Sequence, residues 1–194
     1  MMENAEREKY EKIWESQEYR RSNSPGEMLL RRLPILQWLK DQEVETVLDA
    51  GCGEGRLLMG LKKANPEWEV SGIDIAKNAI DFRLKDIFTQ GCLWEEGAYD
   101  DGGYDAITCT DVLEHIPPDH VMDVLRLFRK YSNKCVFLSV CLIDDIFGAK
   151  LIGEPLHLTV RKYYWWLEKI RMVGFEVKHA MIQPGLFDCF LVKL

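Results

Sequence analysis

Apolar and polar positions divide the chain into two unlike parts. Residues 3–21 read as a charge-rich helix, with Tyr10, Ile13 and Trp14 at the spacing of one helical face. "SNSPGE" interrupts that pattern. Ser24, Pro25 and Glu27 there form a capping-box sequence with proline at the first helical position. It opens a second helical stretch to about Lys40, with a break near Pro34. From Glu45 the period changes. "ETVLDA" is a short apolar run of the buried-strand kind, and Gly55 to about Ala64 reads as a helix. "WEVSGID" is a second strand, Ala76 to about Lys85 a second helix, "IFTQGCL" a weak third strand and "YDAITCT" a fourth. Pro118 to Tyr131 is a helix with Val121, Val124, Leu125 and Phe128 facing inward and Arg129 and Lys130 in its last turn. "KCVFLSVCLI" is a fifth strand, apolar on both faces, and Thr159 is placed to cap a helix that ends at Gly174. "GFEVKHAMI" and "LFDCFLVKL", joined at "QPG", form a closing hairpin.

Strands alternating with helices predict an α/β fold, with a mostly parallel sheet covered on both faces and antiparallel pairing added at one edge. Ligands in such sheets bind at the carboxyl ends of the strands, near the point where strand order reverses. The glycines lie there. "VLDAGCGEGRLL", Val47 to Leu58, sets Gly51, Gly53 and Gly55 directly after the first sheet strand, beside the acid Asp49.

A dinucleotide site wants G-x-G-x-x-G with a pyrophosphate on the helix N-terminus. Here the spacing is G-x-G-x-G, and Arg56 stands where the last glycine of that pattern belongs. A fixed carboxylate at Asp49 repels a pyrophosphate at close range. It suits a ligand that brings positive charge, and S-adenosylmethionine carries an ammonium and a sulfonium. Asp74 ends the second strand, 25 residues after Asp49, where an acid accepts from ribose hydroxyls. Ile75 follows it and can cover one face of an adenine.

"VLDAGCGEG", "VSGIDIA" and "YDAITCTDVLEHIPPD", in that order and followed by "GFEV" and the final hairpin, resemble class I S-adenosylmethionine-dependent methyltransferases of the small "methyltransferase domain" group. The resemblance covers about residues 44–194. It implies an enzyme with a Rossmann-like, doubly wound, mostly parallel seven-stranded sheet, a C-terminal antiparallel hairpin and N-terminal helices. It further implies one domain over residues 1–194, in which 1–43 form a helical lid or cap on a 44–194 core. Carried over by position, Gly51 and Gly53, with Cys52 between them, let the backbone approach the methionine part of S-adenosylmethionine. Asp49 meets its amino group, Asp74 its ribose, Ile75 its adenine, and Thr110 sits near the methionine moiety. Tyr19 and Arg20 belong to the segment that folds over the cofactor in relatives. One position departs from the pattern. Relatives often end the third strand in Gly-Asp, whose acid accepts from the adenine amino group, whereas this chain has Gly91-Cys92. Cys92 is a poor acceptor, so the adenine depends on backbone groups near Leu93 and Trp94.

Methyl transfer is an in-line displacement in which the protein mainly aligns the reactants. A hydroxyl acceptor benefits from a general base, and His115, just past the fourth strand, is the candidate. The plain alternative is a histidine that hydrogen-bonds locally and shapes its loop. Asp111, Glu114, His115 and His157 form a sharper set that resembles metal-dependent relatives, the ubiquinone-pathway O-methyltransferases and the small-RNA 2'-O-methyltransferases. Asp111 stands where those tend to have Glu, and no metal is assigned. Otherwise Asp111 and Glu114 cap the following turn and His157 lines the substrate pocket. "WEEGAYDDGGYD" does not have EF-hand spacing and reads as a solvated loop. In "YYWW", Trp166 joins Ile170 in the core, while Tyr163 or Tyr164 can face the substrate.

Composition narrows the acceptor. The formal net charge of −7 argues against a long polynucleotide, whose phosphates call for a basic excess. No apolar run approaches the roughly 18 residues of a membrane span. "MMENAEREKYEKIW" fits neither a secretory signal nor a transit peptide, which places the protein in the cytoplasm. Six cysteines form no CxxC, and Cys109, Cys135 and Cys141, in or beside apolar strand-like runs, read as buried thiols in a reducing compartment. The expectation is methyl transfer from S-adenosylmethionine to an O or N atom of a small molecule. The alternatives are metal-assisted O-methylation of a catechol, quinone precursor or RNA end, and a non-catalytic cofactor-binding partner protein. A nicotinamide dehydrogenase is weakest, since the last glycine is missing. Oligomeric state is not legible.

Overall fold

The computed structural model describes residues 2–22 and 25–193. One sheet of seven strands runs through it in the order β3-β2-β1-β4-β5-β7-β6. These are β1 (Thr46–Ala50), β2 (Glu69–Asp74), β3 (Phe88–Gln90), β4 (Tyr104–Thr110), β5 (Ser132–Cys141), β6 (Phe175–Gln183) and β7 (Leu186–Lys193). β1 to β5 pair in parallel, and β7 inserts antiparallel between β5 and β6. Strand order reverses between β1 and β4, so the carboxyl ends of these two strands flank the crevice.

The period-2 alternation of each strand feeds two cores. Leu48, Ile107, Val136 and Leu138 point to one face, under α6 (Val121–Tyr131) and α8 (Tyr163–Met172), where Phe128, Trp166 and Ile170 are fully buried. Val47, Ala106, Phe137 and Phe190 point to the other, under α3 (Pro25–Arg32), α4 (Ile35–Asp41) and α5 (Arg56–Ala64). A third, smaller cluster of Ile13, Trp14, Tyr19, Ala76, Ala79 and Leu156 attaches the N-terminal helices, with Phe147 of α7 (Phe147–Leu151) packed against it. Among the described residues no helix is long and apolar enough to cross a membrane.

Three local expectations change, and a fourth falls outside the described residues. The charged N-terminal helix is two helices, α1 (Met2–Ile13) and α2 (Gln17–Ser22). The turn between them brings Trp14 and Tyr19 edge to face, with ring centroids 5.0 Å apart and both buried. The cap predicted at Ser24 with Pro25 and Glu27 lies outside the described residues. Residues 76–85 form no α-helix. The side chain of Asp74 accepts the Ala76 amide, and Asp81 then opens a 3-10 turn, Phe82–Ile87, by accepting from the Arg83 amide. Ala76 and Ala79 are buried and Phe82 is 80% exposed. Thr159 does not cap α8. Its hydroxyl donates to the Ile116 carbonyl at 2.6 Å, and α8 starts at Tyr163 with no side-chain cap.

Candidate active site

The glycine loop starts where β1 stops. Gly51 and Gly53 adopt φ of +78° and +51°, the left-handed region that side chains rarely enter. Space also excludes a side chain. A Cβ on Gly51 would lie 2.4 Å from Val112, and one on Gly53 2.9 Å from the Trp14 ring. The amides of Gly51 and Cys52 both donate to the Ile73 carbonyl, which ties the loop to β2. Asp74 strengthens this tie. Its Oδ2 accepts the Gly53 amide and its Oδ1 the Ala76 amide, each at 2.9 Å. A carboxylate has about four lone-pair sites, so Asp74 retains capacity for hydroxyls.

Asp49 is buried, and the Thr108 hydroxyl donates to it at 2.9 Å. Burial pushes its carboxyl up from 3.8 to about 7, against the Thr108 bond that pulls it down, with Asp74 adding a further rise. Burial also raises Asp74, held back by its two amide bonds and by Ile75. Two acids near the carboxyl ends of β1 and β2 are thus short of positive charge.

Asp49, Gly51, Cys52, Gly53, Asp74, Ile75, Cys92, Leu93, Thr110 and His115, the residues singled out from the sequence, all line one cleft of about 930 Å³ including its mouth. Glu6, Tyr10, Trp14 and Tyr19 close it from the N-terminal helices. The stripe of Tyr10 and Trp14 was visible in the sequence, but a stripe does not say what it covers. Arg20 holds these helices down. Its Nε donates to the Trp14 carbonyl at 2.7 Å, and its guanidinium reaches Glu54 at 3.1 Å, the Ala79 carbonyl at 3.0 Å and the Asn78 carbonyl. Arg56 donates back to the Arg20 carbonyl at 2.9 Å. The arginine that displaces the third glycine of a dinucleotide pattern therefore helps to anchor the N-terminal helices.

His115 lines the cleft in contact with α1. Its Nδ1 lies 2.8 Å from the Tyr10 hydroxyl and 3.3 Å from the Leu156 carbonyl. Burial lowers its pKa to about 4 against the pull of Asp111, so the imidazole is neutral. Glu114 does not cap the following turn as expected. It is fully buried, its Oε1 accepts the Cys141 amide at 2.9 Å, and its carbonyl accepts the Leu158 and Thr159 amides. Burial and the neighbouring Asp111 push its carboxyl well up. Glu114 thus ties the loop after β4 to the end of β5. The Asp111 backbone is in the left-handed region, φ +59°, with its amide donating to the Ser139 carbonyl.

The metal-like set differs from its sequence version. Donor atoms of Asp111, Glu114, Cys141 and His157 lie within 4.8 Å of one another, and Cys141 takes the place expected of His115. His157 stays close to that histidine, with ring centroids 4.7 Å apart, but its Nδ1 is engaged with the Ile143 carbonyl and it does not line the cleft. Tyr163 and Tyr164 do not line it either. They are exposed, and Tyr163 leans on Phe187.

A methyltransferase-domain family profile matches residues 17–180, which takes in the glycine loop and the loop after β4 and starts beyond α1. The chain belongs to the methyltransferase-domain family. Its fold is that of class I S-adenosylmethionine-dependent methyltransferases. The chain is 32% identical over 148 residues to a ubiquinone biosynthesis O-methyltransferase of Alkalilimnicola ehrlichii, an overlap covering 71% of this chain and 59% of that protein. It thus spans about three fifths of that relative's length. Its fold matches a S-adenosylmethionine-dependent methyltransferase of Clostridium acetobutylicum with TM-score 0.66 at 9% identity, over 82% of this chain and 89% of the other. It also matches magnesium protoporphyrin IX methyltransferase of Synechocystis PCC 6803 with TM-score 0.61 at 19% identity, over 82% and 80% of the two chains.

Proposed function

We propose that this chain methylates a phenolic oxygen of a small aromatic molecule, working as one domain in which residues 1–43 close over the 44–194 core. The observation that carries the reading is that the neutral His115 imidazole and the Asp49–Asp74 acid pair line the same cleft. S-adenosylmethionine, when bound, supplies the electrophilic methyl carbon and the thioether leaving group. The protein supplies the rest. Gly51 and Gly53 admit backbone contact, and Asp49 offsets the cofactor's positive charge. Asp74 holds the ribose, Ile75 and Leu93 flank the base, and Thr110 borders the methionine end. Cys92 brings only a buried thiol to the place where an acid would grip the adenine amino group. Tyr10 and Trp14 keep water out.

The acidity of the acceptor follows from His115. Burial holds His115 neutral and makes it a weak base, which favours an acidic phenol over a much less acidic alkyl alcohol. A neutral amine needs no base, and the net charge of −7 favours a small molecule over a polynucleotide. The O-methyltransferase name of the Alkalilimnicola relative agrees with oxygen. The test is transfer of labelled methyl from S-adenosylmethionine to panels of phenols, alcohols, amines and short RNA. Methylated phenols, with kcat lowered about 10²–10⁴-fold in His115→Ala, support the reading. Methylated RNA alone, or an unaffected His115→Ala, overturns it.

A second reading rests on the convergence of Asp111, Glu114, Cys141 and His157. A divalent ion there would lower the acidity barrier without a base. A rate abolished by chelator and restored by metal, with His157→Ala inactive, favours it over the first.

A further inference from the structure

We propose that Tyr10, carried on α1, is a positioning residue that fixes His115 as its Nδ1–H tautomer, with the ring's lone pair on Nε2; its consequence for turnover rests on reading His115 as the base. Three atoms decide it. The Tyr10 hydroxyl lies 2.8 Å from His115 Nδ1 and 3.4 Å from the Leu156 carbonyl, and Nδ1 lies 3.3 Å from that same carbonyl. The carbonyl only accepts, while the hydroxyl both donates and accepts. If Nδ1 carried no proton, the hydroxyl would donate to it, and the nitrogen lone pair would face the carbonyl oxygen. If Nδ1 carries the proton, it donates to the tyrosine oxygen, and the hydroxyl donates onward to Leu156. Every donor then has an acceptor, and no two lone pairs confront each other. In a cleft partly shielded from water the second arrangement wins, because an unmet polar group costs about 1–3 kcal/mol.

A proton on Nδ1 leaves Nε2 as the lone pair of the neutral ring. The phenol of Tyr10 stays protonated, because burial holds it well above its ordinary range, with Tyr19 and Glu6 adding to the rise. Tyr10 shares its helix with Glu6, and Trp14 follows at the turn beyond it; all three line the cleft. Closing the lid over the cofactor and setting the base therefore become one event. Leu156 does not depend on the lid for its place. The Asp145 carboxylate accepts its amide at 2.7 Å and fixes the carbonyl's loop.

The test is nitrogen NMR of the full chain labelled at histidine and saturated with S-adenosylhomocysteine, comparing wild type with Tyr10→Phe. The phenylalanine keeps the ring and removes only the hydroxyl. We expect a protonated Nδ1 and an unprotonated Nε2 at His115 in the wild type, and loss of that preference in the variant. Affinity for S-adenosylhomocysteine should stay within about twofold, while kcat on the phenol from the acceptor screen falls about tenfold at unchanged KM. A wild-type His115 protonated at Nε2 overturns the proposal, and so does a variant with unaltered tautomer, since Leu156 alone would then set it. His115→Asn with undiminished turnover would instead remove the base reading and leave the tautomer result standing.

Discussion

Asp74 accepts the Gly53 amide at 2.9 Å, so the acid that ends β2 also shapes the glycine loop that follows β1. The same carboxylate takes the Ala76 amide and lines the cleft. Asp74→Ala removes both acceptors and leaves two amides to be satisfied by water. We expect a loss of about 1–3 kcal/mol in stability, read by denaturant unfolding. Calorimetry should show at least tenfold weaker S-adenosylhomocysteine binding. A variant that binds normally would mean that the ribose contact lies elsewhere.

Asp49 couples binding to pH. Its carboxyl stands at about 7 in the free protein, and a cationic ligand beside it favours the ionised form. Above pH 7 the site is already ionised. Below it, binding must expel a proton, and affinity is expected to fall by up to about tenfold per unit until the ligand-bound pKa is reached. Calorimetry in buffers of different ionisation enthalpy should register proton release near pH 7. The cofactor-free fold responds in the same direction. A carboxyl raised from 3.8 to about 7 by folding contributes stability that is complete below 3.8 and is lost as pH rises through about 7. Asp49→Asn removes that loss and should stabilise the free protein at pH 8 by up to about 4 kcal/mol while weakening cofactor binding.

Two glycine substitutions separate geometry from composition. Gly51→Ala places a Cβ 2.4 Å from Val112 at φ +78°, whereas nothing lies within 4 Å of a Cβ on Gly97. Gly51→Ala should cost more than about 1 kcal/mol and abolish binding. Gly97→Ala should change neither. Equal melting temperatures for the two variants would contradict the loop geometry.

Arg20 is the clasp. Arg20→Ala loses contacts to the Trp14, Asn78 and Ala79 carbonyls and to Glu54. Hydrogen exchange should quicken over residues 2–22 and leave β1, β4 and β5 unchanged, with S-adenosylhomocysteine bound about tenfold more weakly. Unchanged exchange in α1 would mean that the aromatic cluster holds the lid unaided.

The strands and the glycine loop were legible because each rests on short-range pattern: apolar runs, three glycines and two acids at strand ends. The lid was half legible. Tyr10, Ile13 and Trp14 announced an apolar face, but the break after Ile13 comes from packing Trp14 on Tyr19, a tertiary preference that overrides helix propensity. Residues 76–85 carried helix-forming side chains, yet Asp74 and Asp81 captured their amides. Cys141 joined Asp111, Glu114 and His157 only through the parallel register of β4 and β5, which aligns Thr110 with Ser139. No spacing along the chain encodes that neighbour.

The most direct measurement is calorimetric titration of the purified chain with S-adenosylhomocysteine, with NAD as the comparison ligand. Micromolar binding of S-adenosylhomocysteine and none of NAD is the expected result. NAD binding in its place, or neither ligand binding, would contradict a methyl-donor site built on Asp49 and the glycine loop.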